Sequence, residues 1–192
     1  MRVRNTSRLS DEWLRPLLEF AARGVNDAGL MVSVINTTTS FRGWAFGRGS
    51  FTKRRWPDEG DGPVQVYPAS VEYLVRLFIP ATIPLKAWTN VKRIRKMYPD
   101  GLPPFESEAD AVVMLAAHEF RHIWQYRNRK SGKGEYDAEK FAFRRLNDYR
   151  EHTGRPRIDP VKQPNPFALR MAASRQPACE PTAGEWGRTL RD

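Results

Sequence analysis

The sequence predicts an α+β domain: an N-terminal helix, a small mixed or antiparallel sheet, then a pair of long helices. Three observations predict it. An amphipathic helical period opens the chain, short β-branched and aromatic runs follow, and two long helical stretches end near residue 150. At 192 residues the chain can bury a hydrophobic core without staples. The domain is expected over 1–159, with the Pro-rich stretch 160–192 as a tail or surface arm.

Taken in order, Ser10 ahead of Asp11 and Glu12 is an N-cap with an acidic first turn. Trp13, Leu14, Leu17, Leu18 and Ala21 then recur at helical spacing, predicting a helix over 11–23 that stops at Gly24. Residues 30–35 and 41–46 read as strands separated by a Thr/Ser turn. Residues 47–63 are rich in Gly, Pro and charge and read as an exposed loop. Short strands are expected at 64–67 and 71–79. The second alternates Val71, Tyr73, Val75, Leu77 and Ile79 against Glu72 and Arg76, an alternation blurred by Leu74 and Phe78. A modest helix over 87–98 precedes the breaker at 98–104. The strongest helix runs from Ser107 to about Arg129, and its stretch 111–117 is apolar nearly all round, as in a helix buried at the centre of a domain. Residues 131–134 break it, and a last helix runs from Glu135 to about Arg150.

Composition excludes several classes. One cysteine, Cys179, rules out an intrachain disulfide and any multi-Cys zinc cluster. No apolar run is long enough for a transmembrane helix, and the basic N-terminus lacks the apolar core of a signal peptide, so a cytoplasmic protein is expected. The net charge of +10 fits either an anionic partner such as nucleic acid or a solvated Arg-rich surface. That charge is diffuse, densest at 53–55 and 92–96, which favours the surface. Phe41, Trp44 and Phe46 beside Arg42 and Arg48 could stack single-stranded bases, but core strand positions suit them better.

The chemistry lies in His118-Glu119-Phe120-Arg121-His122. Histidines four apart on a helix project from one face and can converge on one ion, while Glu119 beside them reaches a metal-bound water. A shuffled chain of this composition holds such a pattern about twice in a thousand tries, so chance is a poor account of it. A catalytic zinc needs a third protein ligand. Residues 123–128 hold neither the Gly nor the His of the metzincin pattern, which leaves a glutamate on the following helix. Glu135 and Glu139 share a face there, and the Gly-containing turn lets that helix double back.

With residues 135–142, Glu-Tyr-Asp-Ala-Glu-Lys-Phe-Ala, the motif resembles the gluzincin clan of zinc metallopeptidases, especially its minimal and membrane members. The resemblance covers roughly 107–150 and implies a zincin-like fold without the membrane members' transmembrane helices. It implies Zn²⁺ held by His118, His122 and Glu135, with Glu139 as the carboxylate that orients a ligand histidine. Glu139 stands where Asp is commoner, and Asp137 is the competing ligand if the helix is rotated. As plain residues, Glu135 is a helix N-terminal carboxylate and Glu139 a surface partner of a cation.

The implied function is a zinc-dependent metallopeptidase that cleaves protein or peptide substrates through a zinc-activated water, with Glu119 as general base. Tyr136 and His152, and also Tyr126 and Tyr149, are candidate donors to the oxyanion, none fixed by spacing. His152 otherwise reads as a surface histidine, and Trp124 should pack on the last helix through Phe141. In zincins the peptide lies along an edge strand above the active helix. Residues 71–79 are the candidate, and a core strand is the equal alternative. Two further readings are a nucleic-acid-associated protease of the Spartan type and a catalytically silent zinc-binding structural protein. The first would call for a downstream histidine ligand, and His152 is the next one; the second leaves Glu119 without a use.

Overall fold

In the computed structural model the described residues are 1–38, 40–47, 67–86, 102, 104–129 and 134–158. The strand expected at 64–67 (save Tyr67), the helix at 87–98, nearly all of the loop at 47–63 and the tail at 160–192 lie outside them, as do both dense basic runs. Met1–Pro160 forms one compact unit.

The chain opens with an unexpected strand, β1 (Arg2–Asn5), which pairs in parallel with β2 (Leu30–Asn36). Between them lies α1 (Asp11–Ala21), supplying the crossover that a parallel pair requires. Ser10 Oγ accepts from Trp13 N, and Leu14, Leu17, Leu18, Phe20 and Ala21 form its buried stripe. The helix ends two residues before the predicted limit, and Gly24 takes the left-handed turn with φ +75°.

β3 (Arg42–Phe46) and β4 (Tyr73–Ile79) complete a four-stranded mixed sheet in the order β1-β2-β4-β3. β2 and β4 are parallel, with Leu30 opposite Tyr73 and Asn36 opposite Ile79, while β3 runs antiparallel to β4. β4 is therefore an interior strand, and its reading as the edge beside the active helix is corrected. Leu74 and Phe78, which blur its alternation, are as buried as Val75 and Leu77, because both faces of the strand are covered. The edge strand beside the helix carrying His118 and His122, among the described residues, is β3.

α2 (Glu108–Arg127) and α3 (Gly134–His152) pack together, and α2 crosses the sheet on the face carrying Val32, Val34, Val75 and Leu77. Ser107 caps α2, its Oγ accepting from Asp110 N at 3.2 Å. Ala111, Val112, Val113, Ala116, Ala117, Phe120 and Ile123 are buried, which explains the nearly all-round apolar run. Each fully buried large apolar side chain contributes about 1.5–3 kcal/mol.

Two charged clamps fix the helix pair. Near the end of α2, Arg121 grips Asp137 of α3 through two bonds of 2.6 and 3.1 Å, with its guanidinium 3.7 Å from the Trp124 ring centre and 5.4 Å from that of Phe141. The predicted Trp124–Phe141 packing is thus bridged by an arginine. At the other end, Asp110 of α2 pairs with Arg150 of α3 at 2.9 Å and with Arg155 at 2.7 Å. Among the described residues no helix is long and apolar enough to cross a membrane.

Candidate metal centre

His118 and His122 stand one turn apart on α2, with their Nε2 atoms 3.0 Å from each other. The opening turn of α3 brings Glu135 over them, Oε2 at 3.4 Å from His118 Nε2 and Oε1 at 3.5 Å from His122 Nε2. Around an ion with bonds of 2.0–2.1 Å, tetrahedral ligand atoms lie roughly 3.3 Å apart. The two histidine nitrogens and the Glu135 oxygen nearer to each lie close to that spacing, and with one ligand atom taken from each residue all three lie within 4.8 Å; two imidazoles plus one carboxylate is a donor set suited to zinc. The histidines are partly buried and Glu135 is open to solvent, so the group is reachable from one side.

Asp137, the competing ligand, turns away to Arg121 and Gln125. Glu139 is buried one turn along α3 from Glu135, and its negative charge acts on both His118 and Glu119.

Glu119 is almost wholly buried, facing β3. Burial lifts its pKa to about 7; the His118 charge pulls it down, while Glu135 and Glu139 push it further up. Burial also disfavours charge on His118, but the hydrogen bond with Glu135 and the charges of Glu119, Glu139 and Glu135 outweigh it and raise its pKa. His122 goes the other way, depressed by burial and by the charge on His118. Glu135 is held below the usual carboxylate range, chiefly by its bond to His118.

A residue that the sequence did not single out makes room for Glu119. A Cβ on Gly43 would lie 2.5 Å from Glu119 Cγ and 2.7 Å from its Oε1, so only glycine fits there. Gly43 and Ala45 of β3, and Gly47 just after it, put small residues at alternate positions, and α2 approaches across them. That alternation of small residues was the legible signal. Tyr126 follows one turn after His122, and its hydroxyl donates to Ala45 O at 3.3 Å. Its pKa is raised by burial and by the charges of Glu119 and Glu135.

Two cavities flank the group. One of about 750 Å³ is lined by Gly43, Trp44, Tyr126 and Arg129 along with both histidines, Glu119 and Glu135. The other, about 1170 Å³, holds Tyr136 and Glu139 beside the apolar side chains of Phe41, Met114 and Leu115.

His152 lies elsewhere, at the end of α3, exposed and with its ring 5.4 Å from Phe20. Tyr149 likewise packs on Phe20. Of the expected aromatic platform, Trp44 and Phe46 stack with ring centres 6.4 Å apart, but Phe46 is buried and Phe41 is packed against the core, so Trp44 alone of the three is exposed. Arg48 lies outside the described residues. Comparison with protein-family models, curated proteins and solved structures finds no match.

Proposed function

We propose that this protein is a zinc-dependent peptidase with a zincin-like arrangement of strand and helix pair. One observation carries the reading: the ligand atoms of His118, His122 and Glu135 lie within 4.8 Å of one another, with buried Glu119 next to them in the chain. A divalent ion bound there supplies Lewis acidity toward a carbonyl and lowers the pKa of a water. The chain's own groups do the rest.

Glu119 is the proton carrier. Its carboxylate, whose pKa burial lifts to about 7, takes a proton from water as the oxygen bonds to the peptide carbonyl carbon, and gives that proton to the amine nitrogen as the C–N bond breaks. Of the four candidate oxyanion donors, Tyr126 and Tyr136 line the two cavities, Tyr126 with its hydroxyl directed to Ala45 O; His152 and Tyr149 line neither. β3 runs beside Glu119, whereas residues 71–79, the expected edge, lie inside the sheet. The larger cavity, with Phe41, Met114 and Leu115, suits a large apolar side chain next to the scissile bond.

Metal analysis tests the reading. Wild-type protein is expected to bind one zinc per chain, and Glu135→Ala to lose it. Zinc affinity should fall on acidification, because His118 must shed a proton that the fold holds above the ordinary histidine pKa of 6.5. Wild-type protein that takes up no zinc at neutral pH would sink the proposal.

Gly43→Ala tests the pocket for Glu119. The added methyl must displace the carboxylate, and misplacement by about 1 Å costs on the order of 10²-fold in rate. Peptide hydrolysis should drop by that factor while zinc content stays at the wild-type level.

A further inference from the structure

Gln125 lies one turn beyond His122 on α2 and is almost completely buried. Its side-chain nitrogen donates to Gly134 O at 3.0 Å and to Asp137 Oδ2 at 3.1 Å. A carbonyl and a carboxylate oxygen can only accept, so the amide can point only one way. Its Oε1 therefore faces His122 Nδ1, at 2.9 Å. An amide oxygen also only accepts. The proton of a neutral His122 ring must then sit on Nδ1, and Nε2, facing His118 and Glu135, carries the lone pair.

We propose that Gln125 is a positioning residue of the metal centre, one that fixes His122 as its Nδ1–H tautomer and ties it to the turn presenting Glu135. The second half follows from its other bonds. Gly134 directly precedes Glu135, and Asp137 follows two residues later, so one amide links a ligand on α2 to the backbone and side chain flanking a ligand on α3. Asp137 cannot swing away, because Arg121 holds both of its oxygens. Glu139 was the carboxylate expected to orient a histidine. For His122 a neutral amide does so, and the carboxylate, Asp137, stands behind it. The ring is thereby oriented without a second full negative charge against it.

This inference rests on the metal-centre reading, and its test separates the two. Long-range ¹H–¹⁵N spectra of the histidine rings, recorded on metal-free protein above the histidine titration range, report the tautomer directly. Wild-type His122 is expected as Nδ1–H. Gln125→Leu should release it to the Nε2–H form and weaken zinc binding by about 10–100-fold, measured against a competing chelator. Gln125→Glu combined with Asp137→Asn keeps an acceptor at His122 and reverses the donor behind it. That pair should restore the Nδ1–H signal, while the bond to Gly134 O is lost because a carboxylate has no proton to donate there.

An Nε2–H ring in wild-type protein overturns the proposal. So does zinc affinity lost in Gln125→Leu while the His122 tautomer stays unchanged, since that marks a merely structural role. If Gln125→Leu fails to fold, the wild-type spectrum and the paired variant still decide. Wild-type protein that shows the Nδ1–H ring yet binds no zinc overturns the metal reading and, with it, the role of Gln125 at a metal centre.

Discussion

Glu119→Gln is expected to cut peptide hydrolysis by at least about 10²–10⁴-fold while leaving zinc stoichiometry unchanged. The amide keeps the shape that fits against Gly43 but cannot take a proton from water. The same change should stabilise the metal-free protein at neutral pH and above. In the folded chain Glu119 has a pKa of about 7, against 4.5 as the ordinary value. Below pH 4.5 both folded and unfolded chains hold the proton, and the difference vanishes. As pH rises toward 7 the unfolded chain releases that proton while the folded chain keeps it, so stability falls; above 7 the whole penalty applies. At 1.36 kcal/mol per pKa unit the penalty is about 3 kcal/mol. Denaturation of chelator-treated wild type and variant should show this gain at pH 8 and not at pH 4. Hydrolysis that persists in Glu119→Gln would remove Glu119 from the chemistry, whatever the metal content.

A gain in stability coupled to a loss of hydrolysis is the result expected if the nearly buried Glu119 carboxyl is the base of the proposed reaction. Glu119 is costly because Gly43 lets β3 close over it and exclude water from its carboxyl. On the proposed mechanism, removing the cost removes the base.

The helices were legible because their signals are local. Ser10 and Ser107 cap them, and the apolar spacing of Leu14, Leu17 and Leu18, or the run 111–117, needs no partner to be recognised. The histidine pair was legible for the same reason, since four residues on one helix fix a shared face. What failed depends on neighbours. β1 carries Arg2 and Arg4 exposed and only Val3 as an apolar residue, so nothing in it reads as a strand until β2 is there to pair with it. Val71–Ile79 had the residues of an interior strand, but its place between β2 and β3 is a fact of topology. Gly43 and Gln125 were missed because their meaning lies across the fold, in Glu119 for one and in Gly134 and Asp137 for the other.

The largest expected stability effect is at the far end of the helix pair. Asp110 is fully buried, paired with Arg150 at 2.9 Å and Arg155 at 2.7 Å, and it also accepts from Glu106 N. Arg150 is nearly as buried; it reaches Glu106 and donates to Pro156 O at 2.6 Å. Asp110→Ala leaves that buried guanidinium only the half-exposed carboxylate of Glu106, and breaking such a buried pair costs about 3–5 kcal/mol. In a domain of this size that lowers the melting temperature by roughly 6–20 °C. An intact pair, by contrast, need not stabilise at all, because desolvating both charges offsets their attraction. Asp110→Leu combined with Arg150→Met should therefore recover most of the loss. Zinc binding decides what the knot is for. If it only holds the helices together, the apolar pair will bind zinc as tightly as wild type, since Arg121 and Asp137 still clamp the end carrying Glu135. If stability returns but zinc affinity does not, the buried charges fix the register of α3 against α2, and Glu135 reaches the histidines only in that register.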